Sequence, residues 1–142
     1  MKNIVLLSLI FICSKGSCQY EREWNRVIGV TIKVGQLEIA ENDFKIPMGA
    51  NDAKEFCEKL GKGWRLPTKE ELNYLYEKKK EIGKYAFEGY KIDDSGERYT
   101  FYWTSTVDDK GKQWLIDMND GQQVLQKKPS KFPGCVRAVR LY

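Results

Sequence analysis

Five lysines in the second half of the chain are the side chains best suited to bind an anionic ligand. They are Lys110 and Lys112, on one predicted turn, and Lys127, Lys128 and Lys131, in a polar loop that follows. Ammonium groups clustered on one surface attract anions and raise their local concentration. The cluster therefore predicts an anion-binding surface. The alternative is that these lysines only keep the edge loops soluble.

A second candidate binding feature is the aromatic segment from Tyr85 to Tyr90. Tyrosine combines a flat apolar face with a polar end, so it can stack on a sugar ring and still contact water. We therefore assign Tyr85 and Tyr90 to the predicted binding surface together with the lysines.

Catalytic chemistry has little support in the sequence. The chain contains no histidine, which removes the commonest general base and the commonest transition-metal ligand. No serine or lysine lies in a recognisable catalytic pattern. We therefore predict a protein that is not an enzyme and uses no cofactor. A pair of converging carboxylates is the rival, enzymatic arrangement.

Two acidic turns are the places where calcium would bind, one with Asp93 and Asp94 and one with Asp108 and Asp109. Calcium prefers carboxylate and carbonyl oxygens. Aspartates at turns, however, usually hydrogen-bond their own backbone. We predict no metal site and keep calcium as an alternative.

The first residues have the composition of a cleaved secretory signal peptide. Lys2 gives a basic start, the apolar run Ile4–Cys13 follows, and Gly16 and Cys18 suit the small positions before a cut. The apolar run is far shorter than the roughly 20 residues of a membrane span. We predict a signal peptide over residues 1–18 and a secreted, periplasmic or cell-surface protein.

A lipoprotein is the alternative, with Cys18 or Cys13 acylated, although Lys15 stands where an apolar residue is expected. Membrane contact would then come only through the lipid. Cleavage after residue 18 removes Lys2 and Lys15, which leaves 22 basic against 20 acidic residues. A net charge of +2 is too small to predict binding to nucleic acid.

The cysteines outside the predicted signal peptide are Cys57 and Cys135. An even pair of cysteines in an exported domain predicts a disulfide. The bond would close a loop over most of the domain and contribute on the order of 4 kcal/mol in the loop-entropy account.

The first predicted helix begins near Asp52, with Glu55 completing a capping box, and its apolar spacing turns Cys57 inward. The second begins at Thr68, with Glu71 completing its capping box. Lysines 78–80 then lie near the end of that helix, where positive charge is favourable. We predict that this lysine run is a solvated helix end.

Strands fill most of the remaining chain. A hairpin turns at Gly35-Gln36, inside a lead-in strand region over residues 19–36 that begins its β-branched run at Val27. Further strands are predicted over residues 99–106, 113–118, 124–126 and 136–141. The order of elements indicates the α+β class.

Four motifs occur in order after the lead-in region. They are Gly63-Trp64-Arg65-Leu66-Pro67-Thr68, Tyr102-Trp103-Thr104-Ser105-Thr106, Trp114 followed by Asp120-Gly121, and Val136-Arg137-Ala138-Val139-Arg140. This ordered set resembles the Lcl C-terminal domain family over residues 37–142. The resemblance implies a C-type-lectin-like fold, with two helices packed on a mixed, mainly antiparallel sheet.

The resemblance also implies a function. The namesake of the family is a bacterial collagen-like adhesin that binds sulfated, glycosaminoglycan-like polysaccharides. We therefore predict an exported, non-catalytic module that binds an acidic or sulfated glycan or a surface protein. One alternative is a structural subunit of a cell-surface assembly. Another is an enzyme of the formylglycine-generating fold group, which would need reactive cysteines.

The motif residues themselves are predicted to build the scaffold. Large rings at Trp64, Trp103 and Trp114 suit a core. The arginines of the motifs, Arg65, Arg137 and Arg140, suit stacking on aromatic rings or pairing with carboxylates. Pro67 restricts the residue before it and fits the start of a helix. The calcium-binding tripeptides of C-type lectins, Glu-Pro-Asn, Gln-Pro-Asp and Trp-Asn-Asp, are absent from the sequence.

Overall fold

Four helices and eight strands form in the residues described by the computed structural model, 15–83, 87–126 and 133–142, with side chains described from residue 21 onwards. The helices are α1 Lys15–Ile28, α2 Ala50–Lys59, α3 Lys69–Glu77 and α4 Lys79–Ile82. The strands are β1 Ile32–Val34, β2 Leu37–Ile39, β3 Tyr90–Lys91, β4 Arg98–Tyr99, β5 Phe101–Val107, β6 Gln113–Asp117, β7 Gln123–Leu125 and β8 Val139–Leu141. The predicted α+β class is confirmed.

The strands form three small antiparallel sheets, ordered β1-β2-β8, β3-β4 and β5-β6-β7. The prediction of two helices on one mixed sheet is therefore wrong in the number of helices and in the number of sheets for the described residues. The sheets stay separate because the segment before β8 touches β5 only through a single parallel bridge between Tyr102 and Cys135. Pairing then moves to β2, where Val139 lies opposite Ile39.

The predicted start of the lead-in strand at Val27 is wrong, because helix α1 extends to Ile28. Val27 and Ile28 end a helix instead of starting a strand, because together with Trp24 they follow helical spacing and pack into the core. Gly29 ends the helix with φ of +52°, a conformation that glycine adopts without strain. The strand begins later, at β1, and the predicted hairpin at Gly35-Gln36 is confirmed.

Helix α2 starts earlier than predicted. Its N-cap is Gly49, and no side chain caps it, so the predicted capping box of Asp52 and Glu55 is wrong. Asp52 instead lies in the first turn, where a carboxylate meets the positive end of the helix dipole. Glu55 pairs with Lys59 one turn later, at 2.6 Å.

Helix α3 begins as predicted, and its capping box is present. The Glu71 backbone N–H donates to Thr68 Oγ1 at 3.1 Å, and the Thr68 backbone N–H donates to Glu71 Oε2 at 2.8 Å. The inner face buries Leu72 and Leu75 completely. Full burial of a leucine side chain stabilises a fold by about 1.5–3 kcal/mol.

The core consists of two clusters of buried side chains. The first lies around α2 and Trp103 and contains Cys57. The second lies around α3 and Tyr102 and contains Cys135. Both thiols are free, so the predicted disulfide is not formed in this structure. Cys135 Sγ lies 3.2 Å from the carbonyl oxygen of Tyr99.

Burial also determines the chemistry of these thiols. It raises the pKa of Cys57 to about 12 and the pKa of Cys135 to about 12. Both sulfurs are therefore protonated and unreactive at neutral pH.

Within the described segments, no helix is long and apolar enough to cross a membrane.

Candidate functional site

A cleft of about 760 Å³ lies between α4, the β3–β4 hairpin and the turn after β6. Three of its lining side chains are cationic and one is acidic. The lining residues are Lys79, Lys80, Gly83, Phe87, Glu88, Gly96, Arg98, Thr100, Met118 and Asn119. The sequence did not single out this cleft, because its walls come from three separate parts of the chain.

Two lysines of α4 form one wall of the cleft. Lys79 Nζ donates to the carbonyl oxygen of Met118 at 2.6 Å and lies 5.3 Å from the ring centre of Tyr76. Lys80 is exposed. Neither ammonium group forms an ion pair with a carboxylate among the residues that the structure describes. The predicted solvated helix end therefore also forms a positively charged wall.

Arg98 on β4 provides a positive charge in the wall formed by the β3–β4 hairpin. Its Nη1 donates to the carbonyl oxygen of Gly89 at 3.3 Å. Its Nη2 lies 3.6 Å from Glu88 Oε2, and both side chains are 43% exposed. Among the described residues, Glu88 is thus the ion-pair partner of this guanidinium group, at a long distance and with both side chains partly exposed.

The floor of the cleft is fixed by Asp117. Its Oδ1 accepts hydrogen bonds from Thr100 Oγ1 at 2.6 Å and from the backbone N–H of Asn119 at 2.9 Å. The Met118 backbone N–H also donates to the carbonyl oxygen of Thr100 at 2.9 Å. These bonds tie the turn after β6 to the segment before β5, so the floor keeps one shape.

Phe87, the residue before Glu88, anchors this wall of the cleft in the core. This side chain is 3% exposed and packs edge-to-face on Tyr102, with ring centres 5.3 Å apart. Arg137 Cζ lies 4.9 Å from the Phe87 ring centre. The Phe87 backbone has φ of +59°, an unfavourable conformation for this residue that burial on both sides maintains. Phe87, which lies within the predicted aromatic binding segment, is therefore a core residue.

Asp43 connects the same wall to the core. It accepts a hydrogen bond from Tyr102 OH at 2.5 Å and pairs with Arg137 Nε at 2.5 Å. Tyr102 OH in turn accepts from the Gly89 backbone N–H at 2.9 Å. Burial, and after it the negative charge of Asp43, raises the pKa of Tyr102 well above its usual range. The hydroxyl therefore stays protonated and keeps donating to Asp43.

Three of the predicted binding residues, Lys110, Lys112 and Tyr90, lie in the described part of the chain. Lys110 and Lys112 lie at the β5–β6 turn, where their backbone N–H groups donate to Asp108 Oδ1 at 2.9 and 2.8 Å. Tyr90, on β3, is 39% exposed. The other four predicted residues lie outside the described residues; they are Tyr85, Lys127, Lys128 and Lys131.

The motif tryptophans differ in burial. Trp64 is 4% and Trp103 is 0% exposed, as expected of core residues. Trp114 is only partly buried and belongs to neither cluster, so its prediction as a core residue is wrong. It lies on a three-stranded sheet and is covered from outside by Lys69, whose Nζ is 4.4 Å from the ring centre.

Each motif arginine has a carboxylate partner. Arg65 binds Glu71 through two hydrogen bonds, and Arg137 binds Asp43. Arg140 Nε lies 2.6 Å from Glu38 Oε2. The hydrogen bonds from these arginines are the main cause that lowers the pKa of Glu71 and of Glu38.

Arg140 also stacks on Trp64, with its Cζ 4.6 Å from the ring centre. Arg137 stacks in the same way on Phe87. The arginines therefore join separate strands and loops of the scaffold. Sequence reasoning identified them but not their partners Asp43 and Glu38, whose neighbours in the sequence give no signal of pairing.

The acidic turns serve the backbone. Asp93 Oδ1 accepts from the Ser95 backbone N–H at 2.7 Å, and Asp108 accepts from its own turn. In the described part of the chain, no three side chains of the His, Cys, Asp or Glu type are grouped to hold a metal ion.

A smaller groove of about 340 Å³ lies between α1 and α2. Its lining is mainly apolar, from Trp24, Phe44, Ile46, Met48 and Phe56. It has a charged rim that includes an ion pair between Glu23 and Lys45 at 3.4 Å. The chemistry of this groove differs from that of the cationic cleft.

Comparison with known proteins gives one family. The sequence model described as the Lcl C-terminal domain matches residues 14–140. No curated protein matches the sequence. Among solved structures, the crystal structure of botrocetin is similar with 13% identity and a TM-score of 0.42, covering 78% of this chain and 95% of that chain.

Proposed function

Because the chain belongs to the Lcl C-terminal domain family, we propose that it is an exported, non-catalytic binding module with a C-type-lectin-like fold. Its ligand is an acidic or sulfated glycan, and the ligand binds in the cleft between α4 and the β3–β4 hairpin. The observation that carries the proposal is that three cationic side chains, Lys79, Lys80 and Arg98, line one cleft.

The size and polarity of the cleft support an anionic ligand. Clefts of about 300–1,000 Å³ are typical of small-molecule and cofactor sites, and the volume here is about 760 Å³. Thr100 and Asn119 supply polar groups at the floor. Cations that line a concave site focus the electric field and attract anions.

The protonation of two buried groups near the cleft supports a binding role. Cys135 and Tyr102 are buried and have raised pKa values. A thiol or hydroxyl held in its protonated form is a poor nucleophile.

The test is binding of the exported protein to heparin, to chondroitin sulfate and to neutral dextran. We expect binding to the two sulfated chains, weakened at physiological compared with low ionic strength, because screening shortens the reach of exposed charges. The variants Lys80→Glu and Arg98→Gln should each lose affinity about tenfold. A control is Lys54→Glu, a charge change of the same sign on α2.

A second set of variants tests the lysines predicted from the sequence. Lys110→Glu with Lys112→Glu changes the β5–β6 turn, and a triple change at Lys127, Lys128 and Lys131 changes the polar loop. Loss of binding only in these variants would show that the ligand binds the lysines predicted from the sequence and not the cleft. If no sulfated chain binds, the glycan proposal fails, and sizing chromatography for a large oligomer becomes the test of a surface-assembly subunit.

A further inference from the structure

We propose that the apolar groove between α1 and α2 is a two-fold interface between two copies of this chain, in which Ile46 of each copy inserts into the groove of the other. The groove and the cationic cleft have no lining residue in common. Self-association at the groove is therefore independent of any glycan bound in the cleft.

Ile46 is a projecting apolar side chain beside a recess of matching chemistry. It is 63% exposed, although it lines a groove of about 340 Å³. The other apolar lining residues are buried or partly buried; they are Trp24, Phe44, Met48 and Phe56. A two-fold interface uses the same patch on both copies, so it needs a projecting group and a recess side by side. This surface has both.

The loop that carries Ile46 is fastened at both ends. Before it, the Phe44 backbone N–H donates to the carbonyl oxygen of Val136 at 3.3 Å. After it, the Met48 backbone N–H donates to the carbonyl oxygen of Gly134 at 3.0 Å. A side chain presented by an anchored loop loses less conformational freedom on binding, which favours association.

The recess has a fixed shape, because its aromatic residues are part of the core or pack against it. Phe44 is 8% exposed and packs edge-to-face on Phe56, with ring centres 5.9 Å apart. Trp24 packs against the same core cluster. A preformed recess of this kind needs no rearrangement before an isoleucine side chain enters it.

The charges at the rim of the groove are complementary to a second copy of themselves. Lys45 is 68% exposed, and its Nζ lies 3.4 Å from Glu23 Oε2. Asp52 is exposed and forms no ion pair among the described residues. A two-fold rotation that places the loop of one copy on α2 of the other brings Lys45 to Asp52 of the second copy, twice. A rim of one sign would repel its own copy, whereas this mixed rim attracts it.

Sedimentation of the exported protein at increasing concentration tests the interface. We expect a reversible equilibrium between monomer and dimer. Ile46→Asp should raise the dissociation constant of the dimer roughly thirtyfold or more, the scale of an interface hot spot. The matched control is Ile92→Asp, at an isoleucine that is 49% exposed and does not line the groove. It should leave the equilibrium unchanged.

Charge exchange tests the reciprocal ion pairs. Lys45→Glu and Asp52→Lys should each weaken self-association, because like charges then meet in both pairs. An equimolar mixture of the two variants should form a heterodimer, since each contact again joins a lysine to a carboxylate. Recovery in the mixture would also show that both variants are folded.

Four results would overturn the interface. They are a wild-type protein that stays monomeric at every concentration, a dimer that Ile46→Asp leaves intact, a variant mixture that stays monomeric, and assembly beyond the dimer, which a closed two-fold contact does not allow. Heparin binding separates this proposal from that of the cleft. Monomeric Ile46→Asp should still bind heparin, whereas a wild-type dimer that binds no sulfated chain would support the interface and contradict the glycan site.

Discussion

Arg65 and Glu71 form a two-bond ion pair, with Nη1–Oε2 at 2.7 Å and Nη2–Oε1 at 2.8 Å. Glu71 Oε2 also accepts the backbone N–H of Thr68. One carboxylate therefore binds the motif arginine and completes the capping box of α3. Arg65 is itself bridged to Val139 through the backbone, so this pair links the start of α3 to β8.

Replacing Arg65 with lysine should destabilise the fold by about 1 kcal/mol. Lysine keeps the charge but has no planar fork to bind both oxygens of Glu71. The free energy of unfolding in urea measures the effect. The control is Glu70→Gln, a neighbouring exposed glutamate, which should stay within about 0.5 kcal/mol of the wild type. Equal stability of R65K and the wild type would contradict the importance of the two-bond geometry.

Acid should destabilise the protein through Glu71 and Glu38. The pKa of each carboxyl group is lowered in the folded state by its arginine. Such a group contributes stability that is fully present above its unfolded pKa, about 4.3, and is lost as pH falls through the lower folded pKa. Urea unfolding between pH 7 and about pH 3 should show this decline. The variant Glu71→Gln should have a shallower decline, and an unchanged slope would count against the assignment.

Removing Asp43 should cost about 3 kcal/mol or more. Arg137 is 3% exposed and would be left as a buried charge without its carboxylate. Asp43→Ala should therefore lower the melting temperature strongly. Asp94→Ala, at a fully exposed aspartate, is the control. The double change Asp43→Ala with Arg137→Met should recover part of the loss, because no unpaired buried charge remains.

The two thiols should be free and protected. Both Cys57 and Cys135 are buried with pKa values raised to about 12, so iodoacetamide should not label the folded protein at pH 8. Unfolding in urea without reductant should expose both, and peptide mass spectrometry should then find one added group on Cys57 and one on Cys135. No labelling after unfolding would instead support the disulfide that the cysteine pattern predicts.

Local signals in the sequence were sufficient for several elements. The capping box at Thr68 and Glu71 and the hairpin at Gly35-Gln36 depend on neighbouring residues and were predicted correctly. The start of α2 was not predicted correctly. Asp52 and Glu55 have the spacing of a capping box, but that local spacing does not reveal that the N-cap is Gly49. The choice of Gly49 came from the bridge between Met48 and Gly134, which fixes the chain just before the helix.

By itself, the sequence determined the α+β class, the resemblance to the Lcl C-terminal domain family and the arginines that join the scaffold. These features depend on short-range patterns and on motif order. Only the tertiary structure decided which carboxylates those arginines bind, that the two thiols lie in different clusters, and that the α4 lysines and Arg98 line the same cleft. The ion pair of Asp43 and Arg137, for example, joins side chains far apart in the sequence, whose meeting is set by packing and not by spacing.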